Sequence, residues 1–298
     1  RDTVFAGYTP YYTAAVTVGK LLRYTMVHDF VAGDYMWTGI DYLGEANWPQ
    51  RSAGCGCLDT CGFEKDAFYF YRSVWNQKEK FAYLCPHWNL KLEKGTVLPV
   101  ICYTNCEDAE LFVNGRSFGM KSKGFPCYGM TERYGHFDRY RRPANTDDLF
   151  LSWDVPYEPG KIEVVGYHDG KEVCRYNVET TGEAASIKLT VDKTSVDADG
   201  RSIVQAEVRI VDGEGRLVLD ACPELDFTLE GDAEIIGIDN GDPACHEQWK
   251  ETKGRHAFNG MAYAVIRAGQ NKGELTLTVQ TSGVDAAIGK ASVTISQK

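Results

Sequence analysis

Two hydrophobic periodicities divide the chain. In its first ~75 residues apolar positions recur at helical spacing. "TAAVTVGKLLRYTMVHDF" places Ala15, Leu22, Met26 and Phe30 on one stripe, and "DAFYFYRSVW" sets Tyr71 one turn before Trp75. Between them "GDYMWTGIDYLGE" reads as a buried strand, with Tyr35, Met36, Trp37 and Ile40 ending in a cluster of Asp41, Tyr42 and Glu45. Helix, buried strand, glycine-rich loop and helix is the rhythm of an α/β unit. After Trp88 the period becomes two. "TVLPVICYTN", "AELFVNGRSFG", "LFLSWDV" and "KIEVVGYHDGKEVCRYNVET" predict short strands, with hairpin turns at Asn114-Gly115 and Asp169-Gly170. A second all-β stretch starts near Ala185, in "SIKLTVDKTSV", "SIVQAEVRIVDGEGRLV", "LDFTLEGDAEIIGIDNGD", "AYAVIRAG", "GELTLTVQTSG" and "KASVTISQK". Strands so evenly spaced predict two immunoglobulin-like sandwiches joined by Thr180 to Ala184. The expected division is 1–85, 86–182 and 183–298.

The α/β piece is not a domain by itself. One apolar strand and two amphipathic helices bury little surface, and a central strand needs hydrogen-bonding neighbours on both edges. The expectation is therefore that the chain, which opens on Arg1 and not Met, is the tail of something larger.

Composition narrows the function classes. A formal charge of −10 over 298 residues argues against nucleic acid as a partner, since such proteins present a basic face. No run of ~18 apolar residues predicts a membrane span, and no secretory signal opens the chain. Ten cysteines raise the question of zinc, but the densest group, Cys55, Cys57 and Cys61, has the spacing C-x-C-x3-C with His87 as its nearest histidine. These three read as small buried fillers of a glycine-rich loop. Cys85, Cys102, Cys106, Cys127, Cys174, Cys222 and Cys245 show no repeating spacing, and no pairing follows from it. "GIDNGDP", holding Asp239, Asn240, Gly241 and Asp242, lacks the spacing of a calcium loop and reads as a tight turn. No nucleophile elbow, zincin helix or phosphate loop is present, so no metal and no cofactor is expected.

"FVAGDYMWTGIDYLGE" followed by "WPQRSAGCGCLDTCGFEKDAFYFYRSVW" resembles the last strand, loop and helix of the catalytic barrel in glycoside hydrolase family 2, in its bacterial β-galactosidase-like branch. "AELFVNGRSFG", "WDVPYEPGKIEVVGYHDGKEV" and "IIGIDNGDP" with "RHAFNGMAYAVIRAG" resemble the two sandwiches that trail that barrel. The resemblance implies a mainly β chain: the remnant of a (β/α)8 barrel over 1–85 and two immunoglobulin-like β-sandwiches. It implies that Trp37 forms the floor of the subsite for the sugar to be cleaved, an indole packing on the apolar C–H face of the ring. Asp41 and Glu45, in the loop above, would accept the sugar's hydroxyls. Asp59, Gly62, Phe63, Lys65 and Asp66 fit the family's loop pattern and are expected to pack the barrel end.

Retaining glycosidases need two carboxyl groups ~5–5.5 Å apart. In this family both follow earlier barrel strands, upstream of Arg1, so no catalytic residue is assigned. The implied protein hydrolyses β-glycosides, with a carbohydrate substrate and the upstream barrel of the same protein as partners, in the periplasm or outside the cell; this chain alone is expected to be inactive. The rival readings are a free-standing carbohydrate-binding or adhesion module and a structural spacer. The segment 124–148, with Tyr128, Tyr134, Phe137, Tyr140, Arg133, Arg139, Arg141 and Arg142, is long enough to be a functional loop. Trp88, Trp153 and Trp249 read as core or interdomain residues.

Overall fold

The computed structural model of the chain describes residues 28–123, 149–250 and 253–298, with Gly19, Leu22, Arg23, Thr25 and Met26 ahead of them. The aromatic and arginine-rich segment 124–148, Cys127 and Ala15 lie outside the described residues. The described residues gather into two compact units, the first drawn from positions up to 41, 54–58 and 64–180, the second from 42–53, 59–63 and 181–298.

The first unit is a sandwich with a helix on its outer face. A sheet ordered β3-β4-β7 (Ala82–Cys85, Val97–Thr104, Leu151–Pro156) faces one ordered β6-β5-β8-β9 (Arg116–Ser122, Asp108–Val113, Lys161–His168, Lys171–Glu179). Alternation supplies the core: Leu98, Val100 and Cys102 meet Leu111, Val113, Ile162 and Val164. Trp88 is fully buried and donates its indole N–H to the Glu158 carbonyl at 2.9 Å. Trp153 donates to the Gly119 carbonyl at 3.0 Å. β4 is buried on both faces, because Ile101 and Tyr103 point away from the sandwich core and meet Phe70 and Tyr71 of the helix Asp66–Trp75. The two hairpins take the turns their dipeptides demand, with φ of 49° and 80° at Asn114 and Gly115, and 49° and 70° at Asp169 and Gly170.

The second unit pairs a sheet ordered β10-β12-β16-β14 (Ser186–Val191, Ile203–Val211, Met261–Ala268, Ala233–Asp239) with one ordered β11-β18-β17-β13-β15 (Ser195–Val196, Lys290–Gln297, Gly273–Thr281, Glu224–Glu230, Gly254–His256). All ladders are antiparallel except β11 with β18. Val204, Ala206, Val208 and Ile210 close on Phe227, Leu275, Leu277 and Val279. Trp249 is half-exposed, with the Lys250 ammonium 4.6 Å above its ring, and is not a core residue.

The chain is thus mainly β. Two expectations need correction. Residues 31–39 form no strand: Thr38 and Gly39 accept the amides of Cys57 and Leu58, Ile40 makes a single bridge to Leu58, and Tyr35, Trp37 and Ile40 are exposed, because this contact covers only the end of the segment and no described strand ladders with the rest. The stripe of the first helical segment is only partly buried, with Leu22 enclosed but Met26 and Phe30 exposed. In the first sandwich β3, from Ala82, pairs with β4.

Candidate functional site

The segment from Trp37 to Asp66 is built by two runs of chain lying side by side. The amide of Asp41 donates to the Leu58 carbonyl at 2.9 Å, and that of Cys57 to the Gly39 carbonyl at 3.1 Å. Glycine at 56 permits the approach: a β-carbon there would lie 2.3 Å from the Asp41 nitrogen.

Asp41 is buried, and its carboxylate is already engaged. Oδ1 accepts from the Gly56 amide at 2.7 Å, and Oδ2 pairs with the Lys65 ammonium, itself well buried. The pair ties the loop to the base of the helix Asp66–Trp75. Trp37 presents its indole at the surface, 73% exposed, with a cis peptide to Thr38. Glu45 belongs to the second unit, is exposed, sits at φ 48° and accepts the hydroxyl of Tyr42.

In the second unit, Tyr42–Leu43 (β1) pairs with Ser52–Ala53 (β2), and the Arg51 amide donates to the Pro243 carbonyl at 2.8 Å. Asp239 receives Arg255 at 2.7 Å and Arg51 at 3.2 Å. Asp59 accepts the amides of Cys61 and Phe63 through Oδ1, at 2.8 and 2.9 Å, folding residues 59–63 into a turn. Gly241, at φ 74°, lies against that carboxylate: a β-carbon there would stand 2.0 Å from Oδ2. "GIDNGDP" is a tight turn whose oxygens serve the chain, with Asp242 Oδ1 accepting the Ala244 amide and Asn240 Oδ1 the Asp242 amide.

Trp48 was not singled out in the sequence. It is 83% exposed and lies on the His246 ring at 4.8 Å, while His246 Nε2 sits 2.7 Å from the Pro49 carbonyl. Its signal was its setting, a tryptophan between Asn47 and Pro49 with no apolar periodicity around it.

Two environments shift acidities. Burial pushes the Asp66 carboxyl up to about 6, against a hydrogen bond from the Tyr83 hydroxyl at 2.7 Å. Burial likewise pushes the Cys57 thiol up to about 11, with the Lys65 ammonium opposing. Cys61 is raised by burial too, and Cys55 is exposed, so the three cysteines are not uniform buried fillers. Among the described residues, one group has metal-ligating types in proximity, Glu107, His168 and Asp169 at the β8–β9 hairpin, and His168 Nδ1 lies 2.9 Å from Glu107 Oε1. They are surface side chains near one another, and nothing else marks a site. No described helix is long and apolar enough to cross a membrane.

Residues 187–289 match the family described as glycoside hydrolase family 2 C-terminal domain 5, and residues 95–174 match a domain of unknown function (DUF4982). The β-galactosidase BoGH2A of Bacteroides ovatus is 36% identical over 91% of this chain. The chain belongs to glycoside hydrolase family 2. It matches the C-terminal region of that family and spans 29% of the Bacteroides ovatus protein's length. A putative β-glucuronidase of Formosa agariphila is 32% identical over 84% of this chain, which spans 22% of it. Among solved structures, a β-glycosidase from Bacteroides vulgatus superposes with a TM-score of 0.75 at 32% identity, over 89% of this chain and 30% of its own. A family 2 member from Bacteroides cellulosilyticus superposes with a TM-score of 0.81 at 27% identity, over 95% and 38%.

Proposed function

We propose that this chain is the C-terminal part of a retaining β-glycosidase, β-galactosidase-like, that hydrolyses O-glycosyl bonds, and that it contributes to the sugar subsite without carrying either catalytic glutamate. The observation that carries this reading is the match to a β-galactosidase over 91% of the chain. The first ~85 residues complete the catalytic barrel, Trp37 is the apolar platform under the sugar, and Glu45 accepts a hydroxyl. Asp41, with its oxygens turned to Gly56 and Lys65, holds the loop that follows Trp37. The sandwiches scaffold the barrel, and the protein works in the periplasm or outside the cell.

The experiment is steady-state hydrolysis of an aryl β-galactoside by the full-length protein and by this chain alone. The full-length protein turns over and this chain does not. Trp37→Ala in the full-length protein lowers kcat/KM on the order of 100-fold, the loss of an indole–sugar contact made in the transition state. Turnover by the isolated chain, or an unchanged Trp37→Ala enzyme, would defeat the reading. An aryl β-glucuronide run in parallel tells which sugar the pocket takes, since relatives named for each are similar to this chain.

A further inference from the structure

A pair of cysteines in the first sandwich lies outside everything argued so far. Cys106 sits in the turn that leads into β5, and Cys174 lies on β9, which ends the sheet order β6-β5-β8-β9. Between them runs β8, whose Gly166 is paired with Ala109 on one side and Cys174 on the other. The two sulfurs meet over this glycine, 3.5 Å apart. A β-carbon on residue 166 would stand 2.6 Å from the Cys174 sulfur and 2.7 Å from that of Cys106, so the missing side chain is the space the thiols occupy. A register shift between Gly166 and Tyr167 marks a bulge at the same point.

The backbone around Cys106 is firmly held. Asn105 donates to the carbonyls of Asn76 and Glu79, both at 2.7 Å, and accepts the Phe81 amide at 3.0 Å. The Lys123 ammonium donates to the Thr104 carbonyl at 2.8 Å and that of Lys80 to the Asn105 carbonyl at 3.2 Å, which places two cations beside the turn. We propose that Cys106 and Cys174 are a disulfide-forming pair, a redox staple that ties the edge strand β9 to the turn before β5. Closing from 3.5 Å to a covalent S–S bond needs a movement of about 1.5 Å.

The chemistry uses an external small-molecule disulfide as oxidant. Cys174, the partly exposed member, is the one a solvent oxidant reaches. The hydrogen bond with Cys106 and burial hold its thiol well above the ordinary range, so it is the small deprotonated fraction, its proton lost to solvent, that attacks one sulfur of the oxidant, forming a mixed disulfide and expelling one thiolate. Buried Cys106 then attacks the Cys174 sulfur, releasing the second thiolate and its own proton. The oxidant gains two electrons and the pair loses two. The second step is favoured by proximity, the two sulfurs already lying 3.5 Å apart, and by Thr104 and the Lys80 and Lys123 ammoniums, which stabilise a Cys106 thiolate against burial once the Cys174 thiol proton is gone.

The test incubates the purified chain with oxidised glutathione, blocks remaining thiols with N-ethylmaleimide and maps unreduced peptides by mass spectrometry. The expected product joins the peptides holding Cys106 and Cys174, about 2 Da lighter than the two thiol peptides together. Its melting midpoint rises by several degrees over the reduced chain, since the bond closes a loop of about 70 residues, and this rise is absent in Cys174→Ala. Separate labelling of both cysteines after oxidation, glutathione retained on Cys174, or Cys106 joined to Cys102 instead would each overturn the proposal. Every readout on the unmutated chain stands even if a variant fails to fold.

Discussion

At the scale of single residues, the sequence groups Trp37, Asp41 and Glu45, and the structure shows which of these side chains are engaged and which are exposed. Trp37, Asp41 and Glu45 were grouped by proximity along the chain and by family likeness. Asp41 is turned inward to Lys65 and Gly56, while Trp37 and Glu45 are exposed. A buried ion pair costs more to break than to replace, because the survivor is left charged and dry. Asp41→Asn keeps an acceptor for Gly56 and removes the negative charge facing the Lys65 ammonium; urea unfolding is expected to show a loss of about 1–3 kcal/mol, of which Asp41→Asn with Lys65→Met recovers a part. Asp66 offers a pH-dependent case. Its folded pKa, about 6, lies above the ordinary 3.8, so its protonated form favours folding; that stability is whole below about 3.8 and lost as pH rises through 6. Its position in the first turn of a helix favours the anion, but burial outweighs it. Asp66→Asn, which can still accept the Tyr83 hydroxyl, is therefore expected to stabilise the chain by about 2 kcal/mol at pH 8 and to do nothing at pH 4, as read by urea unfolding at each pH. The charged carboxyl remains partly solvated, which keeps the effect below the full value its shift implies.

At the scale of elements, period-two alternation and turn dipeptides carried the strands. Hairpins at Asn114-Gly115 and Asp169-Gly170 were legible because positive φ at both central residues is a local steric demand, met by those dipeptides without tertiary help. Gly115→Val is expected to cost about 2 kcal/mol in urea unfolding, whereas Gly213→Ala, where an added β-carbon meets nothing within 4 Å, stays within about 0.5 kcal/mol. The opening strand failed for the complementary reason. Apolar content gives a segment cause to be buried, but a strand exists only where another strand pairs with it, and among the described residues 31–39 have none. β4 shows the converse: its near-continuous apolar run, "LPVICY", is buried on both faces because a sheet lies on one side and the helix Asp66–Trp75 on the other.

At the scale of the whole molecule, each unit closes its own apolar core. Leu277→Ala, in the core of the second, is expected to cost about 2–5 kcal/mol. Hydrogen exchange of the β13 and β17 amides then quickens while that of β4 amides holds; equal acceleration in both would mean one cooperative core and not two. The sequence by itself determined the mainly β class, the family likeness, the order of the strands and the tight turns, since these rest on alternation, local sterics and residue order. Tertiary structure alone decided which carboxylate is spent on the loop, which tryptophans are enclosed and which thiols meet. The reason is range: turn and alternation signals act over a few residues, whereas Gly166 brings Cys106 and Cys174 together, and Asp239 meets Arg51, across long stretches of chain whose approach no local pattern encodes.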